Sequence, residues 1–204
     1  MTTVRRLGIY GGTFDPIHFG HLAIVEEARW FCRLDQVLIV PAASQPLKEG
    51  HLAAAHHRLE MVRLACAGND ALIPSSLELD RPPPSYTVDT LRVCRERYGS
   101  EVELFLIIGA DAAADLPRWR EPDQITHLAR LVVVERPGYP FDQESLVAAV
   151  PAVRDRMIVL TGPQLAISST DLRQRLAAGR PVRYQLPDAV LAYVKHHRLY
   201  QVEE

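Results

Sequence analysis

Glu103–Gly109 reads ELFLIIG. Past the first residue both alternating sets of side chains are apolar, Leu104, Leu106 and Ile108 on one face and Phe105 and Ile107 on the other. A strand of this kind has to be covered on both sides, as strands of a parallel sheet are. Comparable β-rich runs occur at Arg6–Tyr10, Gln36–Pro41, Leu131–Glu135 and Arg156–Leu160, with a weaker one at Ala71–Leu77. They alternate with helix-like segments near Phe19–Arg33, His57–Ala67, Thr87–Tyr98 and Gln143–Val150. The alternation predicts a doubly wound α/β fold around a parallel sheet. Two further helices are expected near the end. Ser168 and Asp171 have capping-box spacing ahead of Leu172 and Leu176, Gly179 is a suitable stop, and Pro187 suits the opening of a helix carrying Val190, Leu191 and Val194. These would form a small helical appendage over about residues 165–204.

The 204 residues show no repeat or low-complexity linker, so a single domain over 1–204 is expected. Apolar content of 48% and charged content of 24% suit an ordinary globular protein. With 23 basic against 25 acidic residues, nothing provides the broad basic face of a nucleic-acid binder, and an anionic ligand would need a local basic cluster. No apolar run is long enough to span a bilayer, so cytoplasmic residence without membrane or nucleic-acid partners is the expectation. Cys32, Cys66 and Cys94 each continue an apolar helical stripe and lack metal-type pairing, which predicts buried thiols.

The chemistry gathers in two stretches. In YGGTFDPIHFGHL, Tyr10–Leu22, Gly11 and Gly12 follow the first strand, where backbone can approach a bulky anion closely. His18 and His21 then fall in the first turn of a helix, on one face, where the helix dipole favours negative charge. Downstream, AISSTDLRQRL begins a helix with Ser168, Ser169 and Thr170, and Arg173 can grip a phosphate with two donors; taken alone, it also reads as an ordinary capped helix. The dinucleotide fingerprint G-x-G-x-x-G is absent, which speaks against a dehydrogenase. Asp15, between Phe14 and Pro16, reads as a loop organiser bonded to neighbouring amides, and one lone carboxylate makes a poor Mg²⁺ cage.

Together, GGTFDPIHFGH and ISSTDLR resemble the two signatures of the nucleotidylyltransferase superfamily. RLEMVRLA, PSYTVDTL, IIGAD, LPRW, ERPGY and LPDAVLAYVKHHRLY occur between and after them in an order resembling bacterial nicotinate-mononucleotide adenylyltransferases. That resemblance implies a Rossmann-like nucleotidylyltransferase fold and transfer of AMP from ATP, carried with Mg²⁺, to nicotinate mononucleotide, giving deamido-NAD and pyrophosphate. It implies that Gly11, Gly12, Thr13, Phe14, His18, His21, Gly109, Asp111, Ile167, Ser168, Ser169 and Arg173 bind ATP. It further implies that Lys48, Tyr86, Thr87, Trp119 and Arg136 bind the mononucleotide, with Trp119 stacking on the pyridine and Asp111 taking ribose hydroxyls. His18, His21, Lys48 and Arg173 would be the catalytic set, with no metal ligated directly by protein.

Plain structural roles stay open for several of these: Asp111 as a helix cap, Thr87 as an N-cap, Trp119 as partial core and Arg136 as a surface residue. One departure from the family pattern is SQPLKEG, where Leu47 stands in place of a histidine; His51, His56 and His57 are nearby substitutes or solvated loop residues. A phosphopantetheine adenylyltransferase and a non-catalytic nucleotide-binding module are the alternatives. Whether the chain is a monomer or a homo-oligomer is left open.

Overall fold

The structure, a computed structural model, describes residues 4–43, 53–135, 141–163 and 165–201. In chain order the elements are β1 (Arg6–Gly12), α1 (Phe19–Phe31), β2 (Gln36–Pro41), α2 (Ala55–Cys66), β3 (Leu72–Pro74), α3 (Thr87–Tyr98), β4 (Glu103–Gly109), α4 (Ala110–Ala114), α5 (Pro122–Leu128), β5 (Arg130–Glu135), α6 (Gln143–Ala149), β6 (Met157–Thr161), α7 (Ser169–Ala177) and α8 (Asp188–His196). Short 3₁₀ turns occupy Leu116–Arg118 and Pro151–Val153.

The strands form one sheet in the order β3-β2-β1-β4-β5-β6, and every pairing is parallel. From β1 the chain winds outward to β3, then returns to β4 and winds the other way. The reversal between β1 and β4 leaves a crevice beyond their carboxyl ends, where open α/β sheets bind ligands.

The two apolar sets of each strand face different helices. Tyr10, Ile39, Phe105, Ile107, Val132 and Val134 pack with α1, α2, α7 and α8 through Ile24, Val25, Met61, Val62, Leu172 and Val190. Leu7, Ile9, Leu104, Leu106, Leu131 and Val133 pack on the other side with α3, α4, α5 and α6. The doubly wound α/β expectation therefore holds, and the terminal helices α7 and α8 share a core with α1 and α2. All three cysteines are buried free thiols, and burial pushes those of Cys66 and Cys94 up to about 11.

Boundaries differ where local bonding overrides pattern. Gly11 and Gly12 are the last residues of β1, paired with Val40 and Pro41, and Ala42 N–H donates to the Gly12 carbonyl at 2.9 Å. The first helix stops at Phe31 because Arg33 takes φ 50° and Leu34 N–H turns back to the Arg29 carbonyl. The weak strand shrinks to Leu72–Pro74. Helices α4 and α5, ADAAA and PDQITHL, show no apolar stripe in the sequence and add to the expected elements.

Candidate active site

At the carboxyl end of β1 the chain turns through Thr13–Ile17 into α1. Phe14 adopts φ 50°, a conformation that costs a bulky residue about 1–3 kcal/mol. Its ring is 1% exposed and packs 5.6 Å from Tyr10 and edge-on to His21 at 5.2 Å, measured between ring centroids. It also fills the space a side chain on Gly12 would need, since a Cβ there would meet the ring at 2.8 Å. Gly12 thus serves this packing, whereas apart from its chain neighbours no described residue lies within 4 Å of a Cβ built at Gly11.

His18 is the N-cap of α1, and His21 sits three residues on in its first turn. Their rings stack 3.7 Å apart at 25°. His18 is buried, and its main-chain N–H donates to His21 Nδ1 at 3.3 Å. Accepting at Nδ1 leaves the neutral imidazole's hydrogen on Nε2, so His21 can present a fixed donor from that atom.

The second stretch folds onto the first. A Cβ built on Gly20 would lie 3.6 Å from the Ile167 carbonyl, which sets the start of α7 against the start of α1. Ser168 caps α7, accepting from Asp171 N–H at 3.1 Å. The other half of the expected capping box does not form, because the Asp171 carboxylate pairs with Arg175 at 2.6 Å. Ser169 Oγ donates to the Pro16 carbonyl at 2.8 Å. Arg173 Nη1 donates to the Asp15 carbonyl at 2.8 Å, and Nη2 to Thr170 Oγ1 at 3.3 Å. Two helix N-termini, two histidines and an arginine therefore converge beyond β1, a set of donors that suits an anion carrying several charges.

The second winding contributes the other side. Gly109 is the N-cap of α4, and Asp111, second in that helix, is exposed at the end of β4 beside the β1–β4 reversal. It borders a cavity walled by Pro117, Phe141 and Leu146. Tyr86, not Thr87, occupies the N-cap of α3, with Thr87 the first helical residue. Ser85 Oγ accepts from Ala43 N–H at 3.3 Å, drawing this segment to the end of β2. Trp119 packs partly against the core on this face, and the Arg120 guanidinium lies 4.8 Å over the Tyr86 ring. Lys48, Arg136, Leu47 and His51 lie outside the described residues.

The cytidylyltransferase-like family model matches residues 9–175. A Roseiflexus sp. (strain RS-1) protein called "Probable nicotinate-nucleotide adenylyltransferase" is 59% identical over 196 residues, covering 96% of this chain and 98% of that protein. A Thermus thermophilus protein of the same name is 46% identical, over 96% of this chain and 100% of that one. The chain belongs to the nicotinate-nucleotide adenylyltransferase family. The fold likeness extends to a solved Plasmodium falciparum nicotinic acid mononucleotide adenylyltransferase complexed with NaAD, with a TM-score of 0.80 at 20% identity, covering 96% of this chain and 97% of that one.

Within this family member, some residues that build the site escaped the sequence reading. Arg58 is 1% exposed and donates to the Thr13 carbonyl at 2.9 Å and the Ala53 carbonyl at 3.3 Å. Asp15 is buried too, and organises the loop as expected, but through distant partners: Oδ1 accepts from Ala53 N–H at 3.3 Å and from the Tyr200 hydroxyl at 2.6 Å. A buried arginine within RLEMVRLA is a signal in hindsight, because its position on the buried face of α2 interrupts an apolar stripe. His57 belongs to the first turn of α2, where Nδ1 contacts the Tyr193 hydroxyl at 2.9 Å, which ties it to α8. Glu78 is buried under α3, accepting from Thr90 Oγ1 at 2.7 Å, and burial raises its pKa.

Among the described residues no group of three or more His, Cys, Asp and Glu is arranged to hold a metal ion, and no helix is long and apolar enough to cross a membrane.

Proposed function

We propose that this protein transfers the AMP moiety of ATP to nicotinate mononucleotide in the cytoplasm, forming deamido-NAD and pyrophosphate. The observation that carries this is the convergence of His18, His21 and Arg173 at two helix N-termini beyond β1, in a chain 59% identical to a relative bearing that name. A phosphate oxygen of the mononucleotide attacks the α-phosphorus of ATP in line, the bond from that phosphorus to the bridging oxygen breaks, and pyrophosphate leaves with the electron pair. The attacking oxygen is already anionic, so no protein nucleophile is needed, and catalysis rests on positioning and charge stabilisation.

His21 Nε2–H, His18, Lys48 and Arg173 hold the triphosphate, with Gly11–Phe14 and the Ile167–Ser169 segment lining it. Gly109 and Asp111 take the adenosine ribose. Tyr86 and Thr87 amides receive the nicotinate carboxylate, Trp119 stacks on the pyridine, and Arg136 faces the mononucleotide. Asp15 is committed to Ala53 and Tyr200. Mg²⁺ therefore enters with ATP as part of the substrate, where it supplies charge neutralisation for the leaving pyrophosphate.

The test is pyrophosphate release with Mg²⁺ and ATP, run in parallel with nicotinate mononucleotide, nicotinamide mononucleotide and phosphopantetheine. Release driven by the first supports the proposal. Release driven only by phosphopantetheine, or ATP binding with no release for any acceptor, rejects it.

A further inference from the structure

We propose that Tyr200 is a positioning residue for the triphosphate site, acting through Asp15 on the loop that carries Phe14 and supports His21. This rests on the function proposed above. Tyr200 stands 185 positions from Asp15, yet its hydroxyl donates to Asp15 Oδ1 at 2.6 Å. It gets there because Leu199 N–H turns back to the Val194 carbonyl, and Arg198 and Tyr200 take φ 51° and 64°. The ring packs against the core shared by α1, α2, α7 and α8, with its hydroxyl 4.0 Å from Met61 Sδ.

The loop is held from several sides at once. Arg58 of α2 holds the Thr13 carbonyl, Arg173 of α7 the Asp15 carbonyl, and Ser169 the Pro16 carbonyl. The Asp15 side chain accepts from Ala53 N–H on one side and from Tyr200 on the other, and Tyr200 reaches it from beyond α8. Burial, with the neighbouring Asp15 carboxylate, raises the tyrosine pKa far above its ordinary value, so the hydroxyl stays a donor throughout the working range. Phe14 sits between these anchored residues in a strained conformation, with His21 edge-on to its ring. Releasing the Asp15 side chain lets that strain relax, and the ring supporting His21 moves with it. Such a displacement weakens donors aimed at the transition state, while Tyr86 and Trp119 keep their places against the core on the sheet's other face.

The experiment compares wild type, Tyr200→Phe, Asp15→Ala, the double variant, and Tyr193→Phe as a control that removes an α8 hydroxyl bonded to His57. Steady-state pyrophosphate release is measured together with the His21 imidazole resonances by NMR. The expected results for Tyr200→Phe are a kcat about tenfold lower, a KM for nicotinate mononucleotide within about twofold of wild type, and a shifted His21 signal. Tyr193→Phe should leave all three unchanged, and the double variant should be no worse than Asp15→Ala. Wild-type kcat and an unmoved His21 signal in Tyr200→Phe would overturn the proposal, as would an equal loss in Tyr193→Phe or additive losses in the double variant. Should wild type release no pyrophosphate, the proposed function fails, while the His21 signal still decides whether Tyr200 positions that ring. If Tyr200→Phe does not fold, Asp15→Ala removes the same bond from the loop side.

Discussion

Gly20 stands between the two histidines, and replacing it with alanine sets stability against turnover. A Cβ at this position would lie 3.0 Å from His18 Cε1 and 3.0 Å from Nδ1. Carbon contacts are optimal at about 3.5–4.0 Å, so the imidazole has to retreat by roughly half an ångström. It has little room to do so, being 3% exposed and stacked 3.7 Å from His21. The displacement is therefore passed to His21. Misplacing a reacting arrangement by about 1 Å can cost ~10²-fold, and half that distance implies a kcat about tenfold lower. Stability should fall by less than turnover does: alanine gains about 0.5–1 kcal/mol over glycine in a helix, and local crowding costs about 1–3 kcal/mol. The net loss expected is about 1 kcal/mol, read by denaturant unfolding beside pyrophosphate-release kinetics on the same preparation. Wild-type kcat in Gly20→Ala would refute the idea that the placement of the histidine pair governs turnover.

Arg58→Met takes away the donor that Arg58 supplies to the Thr13 and Ala53 carbonyls; leaving a buried acceptor without its partner costs about 1–3 kcal/mol, measurable by urea denaturation. Lysine at this site should recover only part of that, because it lacks the two-pronged fork. His21→Ala should lower kcat by at least ~10² while the protein stays folded, and near-normal turnover would remove His21 from the mechanism. Trp119→Ala should raise the KM for nicotinate mononucleotide by about tenfold, since ring stacking is worth ~1–3 kcal/mol, with kcat little changed; an unaltered KM would return Trp119 to a packing role. The His57 pKa is held below its ordinary 6.5 by burial, with His56 and His197 adding repulsion. Its contribution to stability is thus complete above that value and is lost as pH falls through the lower folded value. Tm should decline on acidification below about pH 6.5, and by less in His57→Asn.

The strands were legible because burial on two faces leaves a mark every residue along the run, as in ELFLIIG. The first signature was equally plain, since a glycine turn and two histidines at helical spacing are local features. Helices α4 and α5 left no comparable mark, because ADAAA completes little more than one turn and PDQITHL carries only Ile125 and Leu128 as an apolar pair, whereas α6, equally short, is marked by the run Leu146–Ala149. The capping box at Ser168 formed only half, because Asp171 found Arg175 one helical turn on, an equally local alternative that spacing alone does not rank.

Local pattern thus determined which segments are strands, where the glycine turn and its two histidines lie, and that Cys32, Cys66 and Cys94 are core. It could not show that Arg58, Arg173, Ser169 and Tyr200 meet on one loop, since Arg58 and Tyr200 read as ordinary helix and tail residues, and Arg173 and Ser169 point to a ligand rather than to backbone 153 or more positions away. Hydrogen bonds form between groups that the fold brings within about 3 Å, whatever their separation in the chain. Only the packing of α2, α7 and the segment after α8 beside β1 brings these four within reach of Thr13–Pro16.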